Sequence, residues 1–333
     1  GKAPWWRDCP TARGLAIDTA QSGGEEFPYF RSFWIEAPSP GASAVVVHAL
    51  LDSPSTTGLY RITMRPGQAT LTDVELTLFP RRDIATIGFA PFSSMFLFNG
   101  INRGDFHDYR AAVHDSEGLS VHTGSGQWLW RPITNPERLE VSAFVDTTPR
   151  GFGLIQRKRL FLDYQDAEAR YETRPSAWVE PIGDWRRGAV VLFEIPTRFE
   201  GNDNVVAYWQ PEAGVRQGEP FSLTYRIHWD GEAASGTEGP RVAATRRGRN
   251  LTDTKEKFVI DFDMRGRKRA GEVTVEASRG KIESITQYPT PEDNILRVSF
   301  ELDTDANESI ELRLNLIPAE GPMGEHWLYR WTA

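Results

Sequence analysis

Two aspartates stand in polar turns beside aromatic side chains: Asp115 in "HDSEG" and Asp203 in "FEGNDN". Paired carboxylates can hydrolyse a glycosidic bond. One stays protonated and protonates the departing oxygen; the other is ionised and activates water or attacks the sugar. The structural alternative is that each is a turn or cap residue, because Asp readily bonds its own backbone in turns. The loop from Glu200 to Asn204 sets one carboxylate between two asparagines, with Phe199, Tyr208 and Trp209 close by. Arg13 in "TARGLAID" and Arg174 in "RPSAWVEP" also have two readings. Each pairs with a core carboxylate, or each forks onto sugar hydroxyls or orients a catalytic acid.

Other chemistries find less support. No P-loop, G-x-G-x-x-G, H-E-x-x-H or G-x-S-x-G is present. His107 and His114 lie close but have no evident third ligand, so neither a metal nor another cofactor is expected. The single Cys9 excludes an internal disulfide framework and a cysteine zinc site, and suits cytosol or periplasm alike. A net charge of −8 argues against a nucleic-acid partner. An apolar fraction of 39% with 25% charged residues describes a soluble globular chain. No apolar run approaches the ~20 residues of a membrane span. "GKAPWWRDCP" lacks the apolar core of a secretion signal, as a trimmed secreted protein also would. The 11 tryptophans suit either a core or sugar stacking.

The elements that must carry these residues are short and alternating. "SAVVVHALLD" (43–52), "LYRITMRP" (59–66), "ATLTDVELTLFP" (69–80), "LEVSAFVD" (139–146) and "AVVLFEIP" (189–196) read as strands between Gly, Pro, Asn and Asp punctuation, the pattern of an all-β sandwich protein. Residues 161–176 are the best helix candidate, closed by Pro175. A polar, Gly- and Pro-rich stretch at 210–220 divides the chain into 1–211 and 212–333. About seven strands follow it, opening with "FSLTYRIHWD", in the number and spacing of an immunoglobulin-like sandwich. The insert 231–257 reads as a loop, an exposed lobe or a flap.

Taken together, "ARGLAIDT", "GEEFPYFRSFWIE", "ALLDSPSTTGLY", "SMFLFNG", "HDSEGLS", "GQWLWRPITNP", "PRGFGLIQR", "YQDAEARYETRPSAWVEPIGDW" and "NDNVVAYWQP" resemble the periplasmic glucan biosynthesis proteins G and D (OpgG/OpgD, also called MdoG), with a lean to the G branch. The resemblance runs from residue 12 to about 230 and continues more weakly to "HWLYRW". It implies an all-β chain: a large galactose-mutarotase-like β-sandwich followed by an immunoglobulin-like β-sandwich. It implies work in the periplasm on a β-1,2-linked glucan, by an inverting endo-glucanase in the D proteins and by weaker enzymes or glucan binders in the G proteins. Matched motifs make Asp203 the general acid and Asp115 the base, with Glu200 and Tyr171 lining the cleft. Trp128, Trp130 and Trp209 are then expected as sugar platforms, and Trp178 and Trp185 as core. Asp203 as acid needs its proton held, by burial under sugar or by neighbouring Glu200.

In the family a long stretch with further strands precedes "ARGLAIDT"; here "GKAPWWRDCPT" stands in its place. Exposed sheet edges and apolar surface are therefore expected, with one cleft wall in question. Two functions follow: a glycoside hydrolase or transglycosylase, or a non-catalytic glucan-binding factor that assists a membrane glucan synthase. The sequence carries no signal of oligomeric state.

Overall fold

The computed structural model describes residues 10–231, 236–267, 271–292, 294–304 and 309–332. Its strands, in chain order, are β1 (Thr11–Ala12), β2 (Ala16–Ile17), β3 (Tyr29–Ile35), β4 (Val45–Asp52), β5 (Thr56–Arg65), β6 (Thr70–Pro80), β7 (Ile87–Ser94), β8 (Phe96–Phe98), β9 (Val113–His114), β10 (Gly118–His122), β11 (Trp128–Pro132) and β12 (Glu140–Thr147). There follow β13 (Gly151–Ile155), β14 (Ser176–Ile182), β15 (Arg187–Glu194), β16 (Val205–Pro211), β17 (Phe221–Asp230), β18 (Arg241–Arg249), β19 (Glu256–Asp263), β20 (Glu272–Ala277), β21 (Lys281–Pro289), β22 (Ile295–Asp303), β23 (Ile310–Ile317) and β24 (Glu325–Trp331).

Alternation explains the outer strands. In β6, Val74, Leu76 and Leu78 turn inward while Glu75 faces out. The central strands β7 and β16 are buried on both faces and read as near-continuous apolar runs. Two sheets enclose the first core. One is six-stranded, in the order β1-β7-β16-β15-β12 with β2 beside β7; the other runs from β3 through β4, β5, β6, β17, β14, β13 and β10 to β11. Leu51, Leu76, Phe89, Phe92, Phe152, Val190 and Trp209 meet between them. The outer edge, β3, leaves Tyr29, Phe33, Trp34 and Ile35 exposed.

Three local readings are corrected. Residues 161–176 do not form one helix: a single turn, α1 (Phe161–Tyr164), and a 3₁₀ turn at Tyr171–Thr173 stand apart. Gln165 and Arg170 take left-handed backbone, and the Asp166 carboxylate captures the Glu168 and Ala169 N–H groups that a helix would use. Next, "FSLTYRIHWD" does not open the second module. As β17 it pairs with β6 and β14 in the first sandwich. Finally, part of the 231–257 insert is a strand: β18 pairs with β19 at the edge of a four-stranded sheet. Only Val242 in it is fully buried, so its sequence carries little alternation.

The second module is thus a seven-stranded sandwich. Its sheets are β18-β19-β22-β21 and β20-β23-β24. Phe258, Phe262, Val298, Phe300, Leu314 and Trp327 fill its core. The modules share backbone: β24 pairs in parallel with β11, so one sheet of twelve strands runs through both. Beside this joint, Arg157 grips both oxygens of Glu325 at 2.9 and 2.5 Å and lies 3.4 Å over the Trp130 ring. Glu325 also accepts the Val242 N–H at 2.8 Å.

Candidate functional site

The Asp203 loop is a hairpin between β15 and β16. Ile195 N–H donates to Asn204 O at 2.8 Å and closes its base. Asn204 is buried; its amide donates to Ile195 O at 2.9 Å and its oxygen accepts Phe96 N–H at 2.8 Å. Asn202 donates to the Thr197 hydroxyl at 3.0 Å, and Asn135 brackets Thr197 through its N–H and carbonyl. Both asparagines therefore tie the loop down, while Asp203 between them is exposed.

Asp115 follows β9 and is buried. Its N–H donates to Met95 O at 2.8 Å, and Arg174 donates directly to its carboxylate. An arginine partner favours the charged form of a carboxylate. The Arg174 guanidinium lies 4.1 Å over the buried Tyr171 ring and donates to Ala169 O at 3.2 Å. The two acid-bearing segments thus register on consecutive residues: Met95 takes the Asp115 side, Phe96 the Asn204 side. Ser94 adds to both, donating to the Ser116 hydroxyl at 2.8 Å and pairing with Val205.

An ionic chain spans the rest of the gap. Arg110 donates to Asp166 at 2.7 Å, to Asp108 at 2.8 Å and to Glu200 at 2.8 Å. Asp166 in turn accepts the N–H of Ala169, whose carbonyl receives Arg174. Burial alone would raise the Asp166 carboxyl, but the Ala169 N–H and Arg110 outweigh it and hold it below the usual range. Asp108 is lowered chiefly by its bonds from Arg110. Arg110 is raised, first by Asp108, against the opposing effect of burial. Replacing Arg110 by Met, which strands three carboxylates, is expected to cost about 2–4 kcal/mol of stability. Glu200→Gln should cost about 1 kcal/mol or less, since that carboxylate is 40% exposed. Urea unfolding compares the two; equal losses would refute a hub at Arg110.

Of the residues singled out from sequence, Asp115, Tyr171 and Arg174 form one buried group, and Glu200 joins it through Arg110. Arg13 does not take part. It is exposed, its N–H bonds Pro91 O at 2.9 Å, and its guanidinium makes no ion pair among the described residues. The tryptophans expected as sugar platforms lie elsewhere. Trp209 is fully buried in the first core and Trp130 in the second. Trp128 is half-buried and stacks on His122 at 4.1 Å and on Trp178 at 5.5 Å. Strands covered on both faces put large rings into cores. Trp178 and Trp185 are core, as expected. The exposed rings beside the Arg110–Glu200 bridge are Tyr109 (76%) and Phe199 (64%). Gly201 lets Phe199 lie on its own loop: a Cβ there would stand 2.3 Å from the ring. Arg110, Asp108 and Asp166 were missed from sequence, because the ion pairs that join Arg110 to Asp166 and Glu200 bring together distant segments.

His114 adjoins Asp115 and is fully buried, stacked on Phe96 at 5.3 Å, with no hydrogen-bond partner for either ring nitrogen among the described residues. Burial pushes it down to about 3, and the charges of Lys158 and Arg174 add to this. The unfolded chain takes up this proton near pH ~6.5, and the folded chain resists it until far lower. His114 therefore withdraws stability as pH falls through that window, at up to ~1.4 kcal/mol per unit. His114→Phe keeps the stack and should flatten the fall between pH 6 and 4 in denaturant titrations. An unchanged slope in the variant removes His114 as its source.

Residues 10–331 match the family described as "Periplasmic glucan biosynthesis protein, MdoG". The chain is similar to the "Glucans biosynthesis protein G" of Bradyrhizobium diazoefficiens, 48% identical over 326 residues, covering 97% of this chain and 65% of that protein. It is similar to the "Glucans biosynthesis protein G 2" of Shewanella oneidensis, 48% identical over 323 residues, covering 96% and 61%. A third relative, from Rhodopseudomonas palustris, is 48% identical over 330 residues, covering 97% and 65%. The chain thus spans between three fifths and two thirds of the length of these relatives.

Proposed function

Because the chain belongs to the family of periplasmic glucan biosynthesis proteins, MdoG, we propose that it works in the periplasm, where it binds a β-1,2-linked glucan and cleaves it with inversion. Asp203 protonates the departing glycosidic oxygen. Asp115, held by Arg174, draws a proton from water directly or through a relay. Inversion calls for carboxyl groups roughly 6.5–9.5 Å apart, or further with a relay between them.

The observation that carries this reading is the common anchor of the two acid-bearing segments on Ser94–Phe96, through Asp115 and Ser116 on one side and Asn204 and Val205 on the other. Their environments also differ as an acid–base pair requires. One is exposed on a tethered loop, where sugar can cover it; the other is buried against a fixed cation. Arg110 holds Glu200 and so steadies the loop next to Asp203. The test is incubation with linear β-1,2-glucan, following chain length by chromatography and the anomer of the new reducing end by NMR. Shorter chains with inverted anomeric configuration are expected. Absence of any cleavage sinks the hydrolase.

A second reading has its own support in the appended seven-stranded module, which carries neither Asp115 nor Asp203. On that reading the protein binds glucan without turnover and assists a membrane glucan synthase. Calorimetric binding with unchanged glucan length would favour it.

A further inference from the structure

The back of the Asp203 hairpin faces a groove of about 1090 Å³ between the two modules. Its first-module wall includes Phe106, Thr197 and Arg198, and its second-module wall includes Arg247, Gly248 and Arg249 of β18. Arg247 N–H reaches Gly100 O at 3.4 Å and brings the two walls together. The same hairpin thus separates the groove on its Thr197–Arg198 arm from Asp203 on its returning arm, with Phe199 exposed at the tip.

We propose that this groove is a distal saccharide subsite, in which a glucan chain leaving the Asp115–Asp203 site passes over Phe199 and is held by hydroxyl contacts to β18. This rests on the reading of that site as a glucan site and adds a second place of contact to it. Three observations select a neutral, hydroxyl-rich ligand. First, the lining is rich in hydrogen-bonding groups, among them Asn102 and Arg249, which can meet sugar hydroxyls. Second, its charge is nearly balanced. Arg198 pairs with Asp105 at 3.0 Å, and Arg247 and Arg249 share Glu256 at 2.8 and 3.2 Å. Four arginines, with Arg103, stand against the three carboxylates of Asp105, Glu137 and Glu256, too even a match to gather a polyanion. Third, it holds apolar ring surface: the half-buried Phe106 packs on Phe98 at 5.3 Å with Arg198 5.5 Å from its centre, and Phe199 is exposed at the rim. A polymer gains from such a site because a second contact on the same chain becomes intramolecular.

Gly248 supplies a clean test. A Cβ there meets nothing within 4 Å, so the backbone accepts a side chain, and Gly248→Trp sets a bulky ring at the β18 wall of the groove. Arg249→Ala removes a largely exposed guanidinium. Calorimetry and turnover are compared on a long linear β-1,2-glucan and on a short oligosaccharide that spans only the cleavage point, with circular dichroism to verify folding. Both variants should weaken binding of the long chain about three- to tenfold and leave the short one unchanged. Wild-type affinity that does not rise with chain length, or variants that bind long chains as well as wild type does, overturns the distal subsite while leaving the cleavage site standing. Variants that weaken both lengths equally overturn it too. No affinity for either length in the wild type overturns the glucan site and the groove with it.

Discussion

Asp203→Asn is expected to lower turnover of linear β-1,2-glucan by about 10²–10⁴-fold, the usual contribution of a general acid. Affinity for glucan and folding stability should both survive. Asn is isosteric with Asp, position 203 is exposed, and the loop is tied down by Asn202 and Asn204 rather than by Asp203 itself. The stability change should therefore stay within about 0.5 kcal/mol. Asp115→Asn should behave differently. It removes a base, and it also weakens a buried ion pair to Arg174, so turnover and stability fall together, the latter by several kcal/mol. Measuring kcat, KM and a urea midpoint on both variants separates the two roles. An Asp203→Asn protein that keeps turnover within about tenfold of wild type would falsify the assignment of the acid.

The second large effect concerns the joint between modules. Glu325→Ala leaves Arg157 buried without its bidentate partner and Val242 N–H without an acceptor. Breaking one side of a buried pair costs about 3–5 kcal/mol. Exchanging both partners for methionine should cost much less, close to the ~1–3 kcal/mol of the stranded Val242 amide, because the desolvated charges vanish together. Arg157 lies on Trp130, which belongs to the second core, so the loss should be felt in both modules. Hydrogen exchange is the measurement. Loss of protection confined to one module would show that the pair is not a shared clasp.

Most strands were legible because alternation is a local property. The buried Val74, Leu76 and Leu78 can be read directly from "VELTLF". What alternation does not encode is which sheet a strand joins. "FSLTYRIHWD" buries one face in either sandwich, and only its pairing with β6 and β14 puts it in the first. The 161–176 segment does not form the helix expected of it because Asp166 takes the amides that a helix needs. Asp115 and Asp203 stand out by their matched motifs, whereas spacing alone reads each as an ordinary turn residue. The tryptophans misled because residue type does not say how many faces of a strand are covered. Arg110 was invisible because its carboxylate partners Asp166 and Glu200 lie 56 and 90 residues away. A sequence read one window at a time holds no trace of such a meeting.

The parallel ladder between β11 and β24 has a bearing on selectivity. Two bodies that share a backbone ladder can swing apart only by breaking its hydrogen bonds, which holds the width of the slot between them. If the slot is the glucan subsite proposed above, this fixed calibre favours slender chains, which enter at little entropic cost, over bulkier or heavily substituted ones.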